Sequence, residues 1–361
     1  TADGVGVVGD RDDAGGAGVA ANEDGSGSGQ EGAERSGEIQ NVSHGQPLAD
    51  HSAQANGRNT KELGHSLCFQ YKLYCMSQRA LAVALLASSA LFGQTAPLPD
   101  WVSVEANIAY DSHKETVIDI LRSKNASGGG KRPGVLLIHG GGWTGGTKEA
   151  VVRNFALRWL EKGFVVANVE YRLAKVALAP AAVSDVLKAA EWFKKNAGKY
   201  GVDDKRIVVT GDSAGGHLSL MVGLTPKQAG LGAPAKVAAV VNFYGITDVG
   251  DLLEGPNEKK YAVTWVPDSM PERREMARRV SPQTWVRKGE PPVLTIHGDA
   301  DPTVPYDHGV TLTKMLRDHG NDAELVSVAG GQHGDFLRDA AKADGVWQQI
   351  WEFLAKRKLM P

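Results

Sequence analysis

The segment Gly211-Asp212-Ser213-Ala214-Gly215 directly follows the apolar run Ile207-Val208-Val209-Thr210, and it restricts the possible folds more than any other part of the chain. A serine between two glycines, after a β-favouring run and before a helix-compatible segment, is typical of a strand that turns sharply into a helix with a nucleophile at the turn. Glycines suit the flanking positions because side chains there would collide with the neighbouring strand or helix. The chain has 44 glycines, so an ordinary serine in a glycine-rich turn is the alternative, and the strand and helix patterns favour the nucleophile.

Composition bounds the domain organisation. The 361 residues are 42% hydrophobic and 23% charged, with a formal net charge of −2. This is enough for one large α/β domain or two small ones, and neither a basic excess nor an acidic tail points to nucleic acid.

The first quarter of the chain differs from the rest. Residues 1–75 are mostly small and polar, which predicts disorder, and residues 76–96 have the charged start, short apolar core and small-residue exit of a signal peptide. We therefore expect that Met76 is the true start, that residues 1–75 come from an over-extended reading frame, and that the product is secreted or periplasmic in a bacterium. The alternative is a buried apolar helix in a genuine N-terminal domain. Both cysteines, Cys68 and Cys75, precede Met76, so the predicted mature chain has no disulfide or thiolate chemistry.

Residues 97–361 carry the pattern of a folded domain. The pattern predicts a β-hairpin, then alternating strands and helices, and a small cap-like insertion at 246–290 after the sixth strand. The fold class is α/β, a doubly wound and mostly parallel eight-stranded sheet, with the active site at the carboxyl ends of the strands. Predicted strands are 102–110, 115–122, 134–138, 164–171, 206–210, 237–244, 292–296 and 323–328, and predicted helices are 148–162, 180–196, a helix running from the serine turn to about 224, 307–319 and 332–356.

A serine nucleophile needs a base and a carboxylate that orients the base. Among the histidines that follow the strand 292–296, His308 and His319 fall inside a predicted helix, whereas His333 lies in a glycine-flanked loop after the last strand. His333 is therefore the predicted base, and a solvated loop histidine is the alternative. For the acid we choose Asp301, because the loop must travel past the strand to reach the imidazole; Asp299 is expected to brace the turn.

Donors for an oxyanion are expected from two backbone segments. One is the N–H of Ala214, and the others belong to the glycines of His139-Gly140-Gly141-Gly142-Trp143, whose lack of Cβ lets a substrate approach closely. A phosphate-binding loop is the alternative, but its glycine spacing is not matched cleanly and no Gly-Lys-Ser/Thr follows. His139 is expected to be structural. No metal and no organic cofactor is implied.

Taken together, these motifs resemble the α/β-hydrolase superfamily of serine esterases, from about Val102 to the C-terminus. The His-Gly-Gly-Gly-Trp and Gly-Asp-Ser-Ala-Gly segments are similar to those of hormone-sensitive-lipase-like carboxylesterases and of bacterial feruloyl and acetyl-xylan esterases. The resemblance implies the α/β-hydrolase fold, with Tyr171-Arg172-Leu173 and Asp185 bracing the sheet edge. It also implies a triad and oxyanion donors at these positions: Ser213, Asp301 and His333, with Gly141, Gly142 and Ala214.

The chain departs from the resemblance in two places. It offers a hairpin before the glycine motif where the lipase-like enzymes carry a helical cap, which favours the smaller secreted esterases. The Tyr-Arg-Leu segment continues with Ala174-Lys175 rather than Ala-Pro, so the rim of the site is expected to differ.

The expected function is that of a secreted serine carboxylesterase acting on short-chain or aryl esters of the acetyl or feruloyl type. The expected partner is a small-molecule or polysaccharide-linked ester, with no nucleic acid and no stable membrane insertion; the oligomeric state is open. The alternatives are a peptidase of the prolyl-oligopeptidase type, an arylformamidase and a non-catalytic ligand-binding protein. Tyr261, Trp265 and Trp285 of the insertion either line an acyl pocket or anchor the cap.

Overall fold

The eight-stranded sheet predicted from the sequence is present in the computed structural model, which describes residues 97–125 and 130–361. The strand order is β1-β2-β4-β3-β5-β6-β7-β8, with β3 to β8 parallel and β1 and β2 antiparallel. The strands are β1 (Val102–Ala109), β2 (Val117–Ser123), β3 (Arg132–Ile138), β4 (Val165–Val169), β5 (Val202–Asp212), β6 (Ala239–Phe243), β7 (Val293–Gly298) and β8 (Ala323–Val328). The predictions for residues 1–96 lie outside the described residues.

The central strands are buried on both faces. Every residue of β4, β6 and β7 is buried, as continuous apolar runs in a parallel sheet require. Alternate residues of each strand point to opposite faces, so the sheet separates two apolar cores. One core contains Leu136, Val209 and Val240, and the other contains Val135, Val208 and Val241.

Seven α-helices lie in the described ranges. They are α1 (Leu157–Glu161), α2 (Ala181–Asn196), α3 (Ala214–Leu224), α4 (Lys260–Trp265), α5 (Arg273–Arg279), α6 (Asp307–Asp318) and α7 (Ala340–Lys356). The insertion between β6 and β7 consists of α4, α5 and short 3-10 turns, as the cap prediction expected. None of the helices described has both the length and the apolar content needed to cross a membrane.

The predicted continuous helix at 148–162 is wrong in detail. The segment is a 3-10 turn (Lys148–Val151), a π-helical turn (Val152–Ala156) and the short α1. Lys148 explains the irregular start, because its buried ammonium contacts Asp119 and Glu149 and its backbone N–H donates to Glu170. The apolar spacing identified the buried face of the segment. The contacts of the buried Lys148 account for the irregular backbone at its start.

The closing helix begins later than predicted, at Ala340 rather than at Gln332. The Asp339 side chain caps it by accepting a hydrogen bond from the Lys342 N–H at 3.0 Å, and an aspartate is a favoured residue at this position. Residues 332–339 instead form a loop with one 3-10 turn, which leaves His333 outside any helix.

Candidate active site

Ser213 lies at a strained turn between β5 and α3. Its φ and ψ are 54° and −119°, in a region that non-glycine residues rarely adopt. A Cβ on Gly211 would lie 2.3 Å from the carbonyl oxygen of Ile138, and a Cβ on Gly215 would lie 2.1 Å from the same oxygen. Strand β3 therefore passes too close for any side chain at either position, and the two glycines let the turn project Ser213 beyond the sheet edge.

The structure brings the predicted base and acid to this serine. His333 Nε2 lies 2.9 Å from Ser213 Oγ, and His333 Nδ1 lies 2.7 Å from Asp301 Oδ2. The loops that carry these groups follow β5, β7 and β8, which end at the same edge of the sheet. The imidazole is partly exposed, with 22% of its side-chain surface accessible, whereas the Asp301 carboxylate is fully buried. This arrangement can transfer a proton from Ser213 to His333 while the carboxylate holds the ring.

The carboxylate of Asp301 is held by further donors. Its Oδ1 accepts hydrogen bonds from the N–H groups of Thr303 and Val304 at 2.8 and 3.0 Å, and His297 Nε2 lies 3.4 Å from Oδ2. Burial raises the pKa of Asp301, but the hydrogen bonds from His297, His333 and the Val304 backbone outweigh burial and hold the pKa well below its ordinary value. Asp301 is therefore ionised at neutral pH.

The other acid and histidine candidates lie elsewhere. Asp299 is exposed and accepts a hydrogen bond from the Gly330 N–H at 2.7 Å, so it braces the turn. His308 is buried in α6 and accepts from the Thr247 N–H, and His319 is exposed at the end of the same helix.

The glycine loop after β3 is bent so that its backbone faces outward. Gly141 and Gly142 have φ values of 116° and 58°. No acceptor is present among the described residues for the N–H groups of Gly141, Gly142 or Ala214. Ala214 is the first residue of α3, where an N–H has no partner within the helix. These three groups are therefore free to bind a developing oxyanion.

His139 and its neighbours brace the base of this loop. Its ring stacks on Tyr171 with 4.4 Å between centroids, Nδ1 lies 2.7 Å from the Gly140 oxygen and Nε2 lies 3.0 Å from Glu170. The Tyr171 hydroxyl donates to the His139 carbonyl at 3.0 Å. Asp212 accepts the Gly140 N–H at 2.9 Å, and burial raises the Asp212 pKa. His139 is thus structural, as predicted from the sequence.

The resemblance assigned a bracing role to Arg172 and Asp185, and the structure pairs them. The guanidinium makes a two-pronged contact with the fully buried carboxylate, with Nε to Oδ2 at 2.9 Å and Nη2 to Oδ1 at 2.6 Å. The Arg172 backbone N–H also donates to Asp185 at 3.0 Å. This pair fixes the chain that leaves β4 next to α2.

An aromatic cluster lies behind the glycine loop and includes Tyr261 and Trp265, for which the sequence left two roles open. The fully buried Trp143 stacks on Trp265 of α4, with 4.2 Å between centroids, and its indole nitrogen donates to His217 Nδ1 at 3.1 Å. Tyr261 of α4 packs against Gly142 and donates its hydroxyl to the Thr303 carbonyl at 3.0 Å. Trp265 and Tyr261 therefore connect the insertion to the loop. In the sequence, only the aromatic content of residues 246–290 pointed to Tyr261 and Trp265. No spacing indicated that they contact Trp143 and Gly142.

Tyr244 is a residue that the sequence did not single out. It follows β6 with a φ of 39°, and its buried ring lies 4.6 Å from the His333 ring. Its ring atoms lie so close to Gly334 that a Cβ there would be 2.5 Å from the tyrosine oxygen. Tyr244 thus supports the loop that carries the imidazole.

A groove of about 520 Å³ adjoins His333 and the glycine loop. Its walls include the exposed polar residues Thr147, Asn154 and Arg338. Within residues 97–125 and 130–361, no group of three or more His, Cys, Asp or Glu side chains is arranged to hold a metal ion.

Comparison with known proteins places this geometry in a family. The sequence profile of the BD-FAE family matches residues 118–316, more than half of the chain. The chain belongs to the BD-FAE family of α/β-hydrolases. Its match includes the glycine loop, the serine turn and the loop of Asp301, and it ends before His333.

Curated relatives carry esterase names. The chain is 30% identical to Esterase LipC from Mycobacterium tuberculosis over 68% of its own length and 64% of that protein. It is 27% identical to Esterase LipQ from the same organism, over 67% of this chain and 59% of the relative. The chain spans about three fifths of the length of these relatives.

A solved structure described as a truncated form of carbohydrate esterase from gut microbiota is also similar. It is 27% identical, with a TM-score of 0.64, and the alignment covers 73% of this chain and 99% of that one. The α/β-hydrolase fold implied by the resemblance is confirmed.

Proposed function

We propose that this protein is a serine carboxylesterase. The observation that carries the proposal is the placement of Ser213 Oγ 2.9 Å from His333 Nε2, at a turn whose backbone is strained and whose imidazole is held by Asp301. Nucleophile, base and orienting carboxylate in hydrogen-bond contact are the requirements for acyl transfer through a serine. The esterase names of LipC and LipQ support the same reaction.

The reaction follows from these positions. Ser213 Oγ attacks the ester carbonyl carbon while His333 Nε2 takes the hydroxyl proton. The carbonyl oxygen becomes an oxyanion and accepts from the N–H groups of Gly141, Gly142 and Ala214, which have no other acceptor in the described structure. His333 then gives the proton to the leaving alcohol oxygen, and water releases the acyl group by the same steps in reverse. Each oxyanion donor commonly contributes about 2.7–4 kcal/mol to the transition state.

Asp301 decides which imidazole tautomer is present. Because its ionised carboxylate can only accept, His333 Nδ1 must carry the proton and Nε2 is left free to accept from Ser213. After proton transfer the same carboxylate stabilises the imidazolium. The buried position of Asp301 strengthens this interaction by excluding water.

For the substrate we propose short-chain or aryl esters of the acetyl or feruloyl type, attached to a carbohydrate. The carbohydrate-esterase description of the similar solved structure supports this class. The groove beside His333 also supports it, because it is lined by the exposed polar residues Thr147, Asn154 and Arg338, which can bind the hydroxyl groups of a carbohydrate.

Export remains part of the proposal. The signal-peptide pattern of residues 76–96 supports secretion, and a polysaccharide-linked substrate would be met outside the cell. Sequencing the N-terminus of the natively produced protein tests it: a mature chain that begins within residues 1–75 would overturn it.

The function is tested with a substrate panel and the full chain. The panel comprises p-nitrophenyl acetate, butyrate and laurate, methyl ferulate, acetylated xylan and a prolyl-anilide, each with Ser213→Ala as the control. We expect ester turnover that is lost in the control. Turnover of the anilide alone would identify a peptidase instead, and a folded protein inactive on every substrate would favour the ligand-binding alternative.

A further inference from the structure

His217 is a buried histidine that the proposed reaction does not use. It lies in the first turns of α3, its side chain is fully buried, and its backbone N–H donates to the Ser213 carbonyl at 2.9 Å. Both ring nitrogens have partners: the Trp143 indole nitrogen lies 3.1 Å from Nδ1, and the Val280 carbonyl oxygen lies 2.6 Å from Nε2.

These two partners allow one protonation state. An indole N–H can only donate, so Nδ1 of His217 must accept; a carbonyl oxygen can only accept, so Nε2 must donate. The ring is therefore neutral with its proton on Nε2. Burial lowers the pKa of His217 to about 4, which agrees with a ring that is neutral at neutral pH.

The two partners belong to different parts of the active site. Trp143 ends the glycine loop, and its φ of 56° is the third consecutive positive value after Gly141 and Gly142. A non-glycine residue in this region costs about 1–2 kcal/mol, so the loop needs an anchor. Val280 follows α5 in the insertion. His217 thus links the glycine loop to the insertion, and it lies in α3, the helix that begins directly after Ser213.

The insertion contacts the same loop independently. Trp265 stacks on Trp143 at an interplanar angle of 13° and meets the His217 ring edge-on at 5.6 Å. Tyr261 packs on Gly142, at the position of one oxyanion donor. The loop is therefore confined between α3 on one side and the insertion on the other.

We propose that His217 is a positioning residue for the oxyanion hole. By holding the Trp143 indole against the insertion, it keeps the N–H groups of Gly141 and Gly142 in the orientation that meets the oxyanion formed at Ser213. The insertion then acts on the rate of the chemical step through its contacts with the glycine loop. This inference rests on the proposed esterase function.

The test separates the two hydrogen bonds of His217. His217→Leu removes both, His217→Asn keeps an acceptor close to the place of Nδ1, and Trp143→Phe removes the indole donor while keeping an aromatic ring. We expect His217→Leu to lower kcat for p-nitrophenyl acetate about 10- to 100-fold with KM changed less than about threefold, because a misaimed donor weakens the transition state only. Trp143→Phe should show the same pattern, and His217→Asn should recover most of the kcat that His217→Leu loses.

The affinity for an inhibitor that forms a tetrahedral adduct with the serine is a second measurement, and a residue that only stabilises the fold would not affect it. A trifluoromethyl ketone places an oxyanion in the hole, so its affinity should fall by about the same factor as kcat. The matched control is Trp159→Phe, since Trp159 is equally buried in the other core and its indole nitrogen has no partner among the described residues. This control should lose folding stability without changing kcat per folded molecule.

Three results would contradict the proposed role of His217 or the proposed function. Unchanged kcat and ketone affinity in folded His217→Leu or Trp143→Phe would overturn the proposal, as would a fall in kcat that only tracks the folded fraction. If His217→Leu does not fold, Trp143→Phe decides alone. Absence of ester turnover in the wild type would instead remove the proposed function, so the two failures are distinguishable.

Discussion

Replacing Asp301 by asparagine tests the roles assigned to all three members of the triad. In the structure Asp301 Oδ1 accepts two backbone N–H groups, from Thr303 and Val304, and Oδ2 faces His333 Nδ1 at 2.7 Å. In Asp301→Asn the amide oxygen must keep the Oδ1 position, because an amide nitrogen there would face two donors. The amide NH2 then takes the Oδ2 position and donates toward His333.

The consequence is a change of tautomer. A donor at that position requires an unprotonated Nδ1, so His333 carries its proton on Nε2 and has nothing with which to accept from Ser213 at 2.9 Å. Loss of the correct tautomer in such a triad lowers kcat by about 10⁴, equivalent to about 5.4 kcal/mol in the barrier. The assay is kcat for p-nitrophenyl acetate with active-site titration of the wild type as reference.

Asp299→Asn is the matched control. Asp299 lies in the same loop, is exposed and accepts only a backbone N–H from Gly330, so we expect its kcat within about twofold of wild type. A kcat for Asp301→Asn within about tenfold of wild type, with the fold intact, would refute the tautomer argument and the assignment of Asp301 as the acid.

Three further predictions concern stability, each measured by urea unfolding. Gly215→Ala should lose about 3 kcal/mol or more because its Cβ would lie 2.1 Å from a backbone oxygen, whereas Gly198→Ala, with no atom within 4 Å, should be neutral or stabilising by up to about 1 kcal/mol. Burial raises the pKa of Glu290 to about 7, above its unfolded value of about 4.3, so its contribution is present below pH 4 and lost as the pH rises toward 7. The free energy of unfolding of Glu290→Gln relative to wild type should therefore be about 1–3 kcal/mol higher at pH 8 than at pH 4. An equal difference at the two pH values would contradict the burial of the Glu290 carboxyl group as the cause. Asp185→Asn should lose about 3 kcal/mol because it removes the charge that pairs with a largely buried guanidinium; a loss under about 0.5 kcal/mol would show that the pair is not structural.

The positions that sequence reasoning located are those where one residue type meets a local requirement. The glycines at 211 and 215 are needed because a backbone oxygen passes within reach of a Cβ, and that need is visible as a spacing around Ser213. His333 was found in the same way, since a loop after the last strand is where an imidazole can reach the sheet edge. These are constraints of backbone geometry, and they show in the order of residues.

Contacts between distant segments could not be located in this way. The bridge from Trp143 through His217 to Val280 joins positions separated by 74 and 63 residues. An aromatic residue, a histidine and a valine are each compatible with many surroundings, so no pattern indicates the pairing. The same holds for Lys148, whose burial beside Asp119 depends on how β2 lies against the following turn and makes the predicted helix irregular.

The hydrogen bonds of the triad have a consequence for when this protein becomes reactive during folding. His333 contacts a serine 120 residues earlier in the chain, and its loop takes its place only when β8 has paired with β7 at the edge of the sheet. Contacts of such sequence separation form late, because the chain between them must be ordered first. A folding chain in which the serine turn has already formed still lacks its base. Reactivity of Ser213 should therefore emerge only after β8 has paired with β7.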